Sequence, residues 1–423
     1  MGIELFKNGI YKAETGFIAS SKPMLFGTRY RKQITLDDGA VTRYLNFITV
    51  DMSAFEGFTS RADNTNYVRV VEHVDADETG VEINSQTIDG TWNNGNHTHV
   101  AFLNTQTDTK STFTVYYGDV DLGAPGYVSG LTVTFNSPAA NDYKIVQDSY
   151  YRAEISYLEG GLIQGLWTRV SGGDVQIGLI NDTIIGMAMM EVGGSYYMNM
   201  FELTPVITQI EGTTGANAGA VLVAFEVVGD LEDSTHGVLG NCSYQLIYIF
   251  CDCQLIHVIT RLIIIGDINN VTIQAFNMIN CVDDYFSHQS YKFGITHEVE
   301  IVQDRDISAN WATKKYCCYF DITSNDGVAM HFIDETIQNL ETPLLFIEKN
   351  AAPAKDMIKA HQDNSGTNTT YTANIDETIV WIQCDDFTDA DGDNDDDGDQ
   401  PAHRKDTELQ TVLTQTITEN VSF

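Results

Sequence analysis

Short runs in which apolar and polar residues alternate recur through the first third of the chain. RKQITLDD, YVRVVEHVD, STFTVYYGD and LTVTFNS each place β-branched or aromatic residues at alternate positions, and each is bounded by Gly, Asn or Asp. A period of two with turn residues at both ends predicts half-buried antiparallel strands. NNGN at Asn93–Asn96 supplies a hairpin signal.

The pattern shifts near SPAAND, at Pro138–Asp142. Beyond it the strands are longer and more apolar. VLVAFEVVG, YQLIYIFCDCQLIHVITRLIIIG and VTIQAFNMINC form a block from Val221 to Cys281. Runs of this kind belong to sheets covered on both faces, or with one face on a partner. The longest apolar stretch, QLIHVITRLIIIG, is broken by His257 and Arg261 and is too short to span a bilayer, so no membrane insertion is expected. KDMIKAHQD at Lys355–Asp363 is the best helix candidate and offers two turns at most.

The expected fold class is therefore all-β. A small N-terminal β-barrel or sandwich is expected over residues 1–140, and a larger β-supersandwich-like domain over 141–385. An acidic loop follows over 386–406. The alternating ELQTVLTQTITENVSF then makes 407–423 a C-terminal strand or arm, returning to a sheet or lying on a neighbouring subunit.

Charge narrows the function classes. The 423 residues include 59 acidic and 23 basic side chains, a formal charge of −36 spread along the whole chain. Phosphate recognition needs clustered Lys and Arg, so nucleic acid and anionic membrane are not expected partners. A dispersed acidic surface stays hydrated where salt screens its self-repulsion, which favours a salt-rich, halophilic setting; an ordinary acidic extracellular or marine protein is the alternative. The opening MGIELFKNGIYKAETGF lacks the apolar core of an export signal, so synthesis in the cytoplasm is expected. Seven cysteines include Cys251 and Cys253 in FCDCQ, which would share a face on a strand, and the adjacent Cys317 and Cys318, with no CxxC half-site. Small buried thiols are the favoured reading; a disulfide pair or a metal site are the alternatives.

Candidate chemistry is sparse. DADGDNDDDGD carries Asp389, Asp391, Asp393, Asp395, Asp397 and Asp399. From Asp393 the frame has Asp at positions 1, 3 and 5 and Gly398 at position 6, which suits a Ca2+ ion held by alternating oxygens. Position 12 is Arg404 where an EF-hand needs Glu, so a non-EF calcium loop and a solvated acidic turn remain the two readings. His97 and His99 alternate in NHTH and could ligate a metal or line a polar edge. Asp283, Asp284, Tyr285 and His288 could form an acid–base set for glycan chemistry. His257 and Arg261 are four apart on a strand, hence on one face, and could line a polysaccharide groove. No GxSxG, P-loop, GxGxxG or HExxH motif occurs, so no catalytic residue is assigned.

The first third carries a more specific order: TRYRKQITLDDG at Thr28–Gly39, TRYLNFITVDMSAF, YVRVVEHVDADETGVEINSQTIDG and STFTVYYGD. It resembles the small β domains that precede carbohydrate-active modules, and is similar to the N-terminal barrel of exo-acting rhamnogalacturonan lyase-like proteins. EISYLEGGLIQGLWTR, VLVAFEVVGD and YQLIYIFCDCQLIHVITRL resemble long strands of the galactose-mutarotase-like β-supersandwich. The resemblance implies carbohydrate contact and transfers no active site.

Two functions are set against each other. One is a structural virion or surface protein of a halophilic virus, such as a haloarchaeal tailed virus. As a tail, spike or turret component it would be assembled in the host cytoplasm and extracellular when mature. Its partners would be other virion subunits in a homo-oligomer, together with host glycans, and binding rather than turnover would be its task. The alternative is a polysaccharide lyase-like carbohydrate-active enzyme.

Overall fold

A computed structural model describes residues 30–37, 47–61, 64–73, 80–89, 96–103, 110–135, 142–176 and 185–282. It further describes 289–294, 300–301, 307–310, 316–321, 326–336, 344–351, 354–363, 369–386 and 414–418. Among these residues the only helical elements are three 3-10 turns of three residues each, and the fold is all-β. Among the described residues no helix is long and apolar enough to cross a membrane.

In chain order the first strands are β1 (Tyr30–Asp37), β2 (Phe47–Asp51), β3 (Val68–His73), β4 (Val81–Ile83), β5 (Ser85–Ile88), β6 (His99–Leu103) and β7 (Lys110–Tyr117). Strands β8 to β12 are Leu131–Phe135, Tyr143–Gln147, Tyr151–Ser156, Leu162–Thr168 and Val175–Gln176. Strands β13 to β16 are Ala188–Val192, Ser195–Met198, Val206–Glu211 and Gly215–Ala216. The long strands β17 to β20 are Leu222–Glu232, Val238–Cys251, Leu255–Ile264 and Ile268–Val282. Strands β21 to β25 are Gln289–Gly294, Glu300–Ile301, Ile307–Asn310, Tyr316–Asp321 and Asp326–Thr336. Strands β26 to β30 are Leu344–Ala351, Ala354–Asp363, Thr369–Tyr371, Asn374–Asp386 and Thr414–Thr418.

These strands divide into two units. The first comprises Met1–Ser129, Gly219–Leu222 and Thr407–Phe423; the second comprises Gly130–Ala218 and Val223–Asp406. In the first, a five-stranded sheet of order β30-β1-β7-β3-β4 and a three-stranded sheet of order β2-β6-β5 share one core. Ile34, Val70, Phe113 and Val115 from one sheet meet Ile48, Val50, Val100 and Phe102 from the other. The side chains alternate along each strand, which is how a period of two becomes a sandwich. The flanks of NNGN pair antiparallel, with Ile88 opposite His99, while Asn93–Gly95 lie outside the described residues. The chain segment Gly219–Leu222 is held in this unit by Gln86, whose Oε1 accepts the N–H groups of Val221 and Leu222, both at 3.2 Å. The terminal strand β30 runs antiparallel to β1 from Gln33 opposite Thr418 to Asp37 opposite Thr414.

The second unit is a curled sandwich. A sixteen-stranded sheet runs β22-β21-β24-β25-β29-β19-β18-β17-β14-β13-β20-β27-β26-β23, with β15 on β17 and β28 on β20. Bulges at Glu191/Val192, Gln209/Glu211 and Phe276/Met278 add local twist. One face of this sheet packs on the six-stranded sheet β12-β11-β10-β9-β8-β16. Tyr244, Leu246, Tyr248 and Phe250 of β18 and Ile256, Val258 and Leu262 of β19 lie in that core with Ile145, Ala153, Ile155 and Leu166. Each fully buried aliphatic or aromatic side chain contributes about 1.5–3 kcal/mol of transfer free energy. The buried tyrosines of this core also need partners for their hydroxyls: three find a backbone carbonyl, and Tyr371 donates to Gln274 Oε1 at 3.1 Å. Tyr151 donates to Cys251 at 2.7 Å, Tyr244 to Gly160 at 2.9 Å and Tyr248 to Ile185 at 3.0 Å.

Two local expectations are corrected. Lys355–Asp363 is strand, as part of β27, because it pairs with β20 on one side and β26 on the other. Cys251 and Cys253 do not share a strand face: Cys251 ends β18, and Cys253 sits in the bend before β19. Both are free, buried thiols, as is Cys242, and Cys384 is buried too. Burial pushes the Cys251 thiol well up, and the Cys242 thiol up to about 12, so both stay protonated and unreactive.

Candidate functional site

Strands β17, β18, β19, β29 and β25 lie side by side in the large sheet. Since alternate residues point to opposite faces, the face away from the sandwich core is set by sequence parity. It carries Glu226, then Gln245, Ile247 and Ile249, then His257, Ile259 and Arg261, then Glu377, Ile379, Trp381 and Gln383. The polar members of this set form two rows across the strands.

The first row is a hydrogen-bonded ladder. Gln245 Nε2 donates to Glu226 Oε1 at 2.5 Å. Arg261 Nη1 donates to Gln245 Oε1 at 2.8 Å, and Arg261 Nε to Glu377 Oε2 at 2.5 Å. Register puts Gln245 opposite Arg261 and Arg261 opposite Glu377, so neither of these two contacts needs a side chain to reach diagonally. The Arg261 side chain is 2% exposed and Glu377 16% exposed. Arg261 Nη2 has no hydrogen-bond partner among the described residues. Four planar side chains on four rigid strands are thereby fixed in orientation.

The second row lies four residues along the strands. His257, Trp381 and His331 stand in register on β19, β29 and β25. The His257 imidazole stacks on the Trp381 ring with centroids 4.3 Å apart and planes 5° from parallel. His331 Nε2 lies 2.9 Å from Gln383 Oε1, and Gln383 Nε2 donates to Asp385 Oδ2 at 2.8 Å. Because the Gln383 amide nitrogen is spent on Asp385, its oxygen faces His331, which assigns the proton to His331 Nε2. His257, His331 and Gln383 are all buried.

Burial lowers the pKa of His257 to about 3. Its imidazole is therefore neutral at any pH where a proton shuttle would be useful. This has a consequence for stability. The unfolded chain protonates this residue as pH falls through about 6.5, whereas the folded chain does so only near 3. Stability is thus lost between those values as pH falls, at about 1.4 kcal/mol per pH unit. Unfolding free energies at pH 7 and pH 5 should differ by about 2 kcal/mol less in His257→Asn than in the wild type. Equal pH slopes in the two proteins would refute it.

Away from the imidazoles the same face opens to solvent. The next row beyond the ladder pairs Ser243 with Ile263 and Ile263 with Ile375, which is 49% exposed. Val206 of β15, opposite Val228 of β17, is 59% exposed. The ladder thus lies between a buried interior and a row on which the aliphatic Val206 and Ile375 are exposed.

Of the residues singled out in the sequence, the structure brings His257 and Arg261 together on one face and gives them different partners. His97 and His99 instead hydrogen-bond threonines: His97 Nδ1 lies 3.0 Å from Thr87 Oγ1 and His99 Nδ1 2.9 Å from Thr98 Oγ1. Among the described residues no group of three or more His, Cys, Asp or Glu is arranged to hold a metal ion. Asp283, Asp284, Tyr285 and His288 lie outside the described residues, as do Asp389, Asp391, Asp393, Asp395, Asp397 and Asp399. Sequence reading missed Glu226, Gln245, Glu377, Trp381, His331 and Gln383. Their signal was a single polar residue at an alternate position of an otherwise apolar strand, as in VAFEVVG, YQLIYIF and TIVWIQC.

No protein-family model matches the chain, and no curated protein matches it in sequence. Solved structures similar to it include the galactosidase domain of an α-galactosidase–sucrose kinase, with a TM-score of 0.40 at 10% identity over 60% of this chain and 42% of that one. A family 36 α-galactosidase from Geobacillus stearothermophilus gives 0.38 at 10% identity over 60% and 41%. A putative aldose 1-epimerase from Klebsiella pneumoniae gives 0.37 at 7% identity over 66% and 86%. The chain spans about two fifths of the length of the two galactosidase structures.

Proposed function

We propose that this chain is a non-catalytic, glycan-binding surface protein, of the kind that serves as an attachment component of a virion in a salt-rich setting. The observation that carries the reading is the ladder Glu226–Gln245–Arg261–Glu377 beside the exposed Val206 and Ile375. A sugar ring presents vicinal hydroxyls at its edge and C–H groups on its faces. Planar carboxylate, amide and guanidinium groups match the first, and an aliphatic strip matches the second. The half-exposed Glu226 and Gln245 form the accessible end of the ladder. Binding is favoured over bond cleavage because burial makes His257 a weak base and the Glu377 carboxylate is occupied by Arg261. The whole-chain acidity, −36, supports a hydrated surface in high salt, and the all-β build suits assembly into a homo-oligomer.

The test combines binding with turnover. The full chain is incubated in high salt with a panel of neutral and acidic polysaccharides, with and without Ca2+. Retention on at least one glycan is expected, with no accumulation of unsaturated products or new reducing ends. Glu226→Ala and Gln245→Ala, at half-exposed positions, should each weaken retention about tenfold, as loss of one charge-assisted or well-oriented hydrogen bond does. Sustained product formation would replace this reading with the polysaccharide lyase-like one. A protein that is monomeric at every salt concentration by light scattering would remove the assembly part of the proposal.

A further inference from the structure

The strands that end the sheets of the larger unit are short. Among the described residues the six-stranded sheet ends on β12 and β16, of two residues each. The sixteen-stranded sheet ends on β22 and β23, of two and four residues. Brevity guards an edge against pairing with another chain, and edge charges do the same. Strand β15 has neither guard. It is six residues long, VITQIE, and among the described residues it pairs only with β17. Val206, Ile207, Thr208, Gln209 and Ile210 carry no charge.

The side chains of β15 fix which surface this edge belongs to. Ile207 packs against the sandwich core. Val206 lies opposite Val228 and Thr208 opposite Glu226, so both stand on the face of the ladder. Val206 is 59% exposed, and Thr208 is exposed too. The bulge after Gln209 ends the regular pairing and leaves Val206–Gln209 as the straight part of the edge.

We propose that β15 is a pairing edge for β15 of a second copy of this chain, antiparallel about a two-fold axis beside Ile207 or Thr208. A two-fold normal to the sheet returns each residue to its own face, so Val206 and Thr208 of both copies lie on one surface. The row Thr208–Glu226–Gln245–Arg261–Glu377 then runs on into the same row of the second copy. An extended glycan meets two ladders on one continuous sheet. Charge selects the occupant. Each copy carries −36, so two copies repel over most of their surfaces and meet at least cost along an uncharged edge. Salt lowers the remaining repulsion, because the screening length falls from about 10 Å at about 0.1 M to about 3 Å at about 1 M. A basic segment of another protein is the competing occupant, and it would be drawn to the acidic surface at large rather than to this neutral strand. The inference rests on the assembly part of the reading above and names its surface.

The experiment is sedimentation equilibrium of the full chain over a concentration series, at about 0.1 M and about 2 M KCl. Association that strengthens with salt is expected. Thr208→Lys and Thr208→Glu should each weaken it about tenfold or more, because like charges then face one another across the axis. An equimolar mixture of the two variants should regain the wild-type association, since lysine then meets glutamate. Ser234→Lys, exposed in the turn between β17 and β18, should leave association unchanged. Melting temperatures of the dilute variants that match the wild type exclude a folding defect. Association that survives both Thr208 variants overturns the β15 edge and leaves assembly to another surface. A mixture that fails to regain association overturns self-pairing and leaves a different protein as the occupant. A wild type that is monomeric at every salt and protein concentration overturns this inference together with the assembly part of the reading, while glycan retention is decided by its own test.

Discussion

Arg261→Ala should lower the unfolding free energy of the larger unit by about 3–5 kcal/mol, the usual cost of removing one member of a buried ion pair. The guanidinium is 2% exposed and is the middle member of the ladder, so its loss strands Gln245 Oε1 and Glu377 together. The aliphatic stem of Arg261 also packs on the sheet, and alanine forfeits that contact. The companion is the double variant Arg261→Met with Glu377→Leu. Replacing both charges by apolar groups of similar volume should recover most of the loss, because neither charge then has to be desolvated. Two units make a single two-state transition an unsafe assumption, so urea unfolding should be followed by tryptophan fluorescence and circular dichroism and fitted as two transitions where they separate. A loss under about 1 kcal/mol for Arg261→Ala would mean that the ladder is solvated and weak, as surface pairs are.

Gly160→Ala should be damaging for a different reason, by about 3 kcal/mol or more. Gly160 has φ +61°, and a Cβ built there lies 1.9 Å from the carbonyl oxygen of Asn199. That carbonyl has nowhere to go. Asn199 is fully buried, its Nδ2 donates to Gly186 O at 3.0 Å, and its Oδ1 accepts from the Ala188 N–H at 3.0 Å. Gly160 is pinned as well: its N–H donates to Glu202 O at 3.0 Å and its C=O accepts the Tyr244 hydroxyl at 2.9 Å. Gly172→Ala is the control. Its φ is +87°, but a Cβ there meets nothing within 4 Å, so only the backbone term of about 1 kcal/mol applies. Melting temperatures of the two variants should therefore separate clearly. Similar melting temperatures would show that the Asn199 turn yields.

The all-β class was legible because alternation is a local property. RKQITLDD, YVRVVEHVD and STFTVYYGD became β1, β3 and β7, and the apolar runs after Val221 became β17 to β20. The doubly covered character of β19 was legible too, since neither face of QLIHVIT is consistently polar and both are buried, whereas β18 is buried on both faces only from Leu246 onward. The site was legible only in part. His257 and Arg261 were visible as the two polar breaks in one strand. Their partners were not, because Glu377 is 116 residues from Arg261 and reaches it only through the β19–β29 register, which no local pattern encodes. KDMIKAHQD failed differently. Its propensity and spacing allow a short helix, and pairing on both edges by β20 and β26 overrides that preference.

The smaller unit is built from both ends of the described chain, with the strand β30 completing the edge beside β1. On the ribosome this means that β1 emerges on the order of tens of seconds before its outer neighbour, at about 5–20 residues per second. Nearly all of the larger unit is translated in that interval, and among the described residues its sheets draw on no strand made later than β29. The order of maturation is therefore inverted relative to the order of synthesis: the unit that starts first finishes last. Throughout the delay β1 presents an unpaired edge, and an unpaired edge is open to any extended segment nearby, including one on a neighbouring nascent chain.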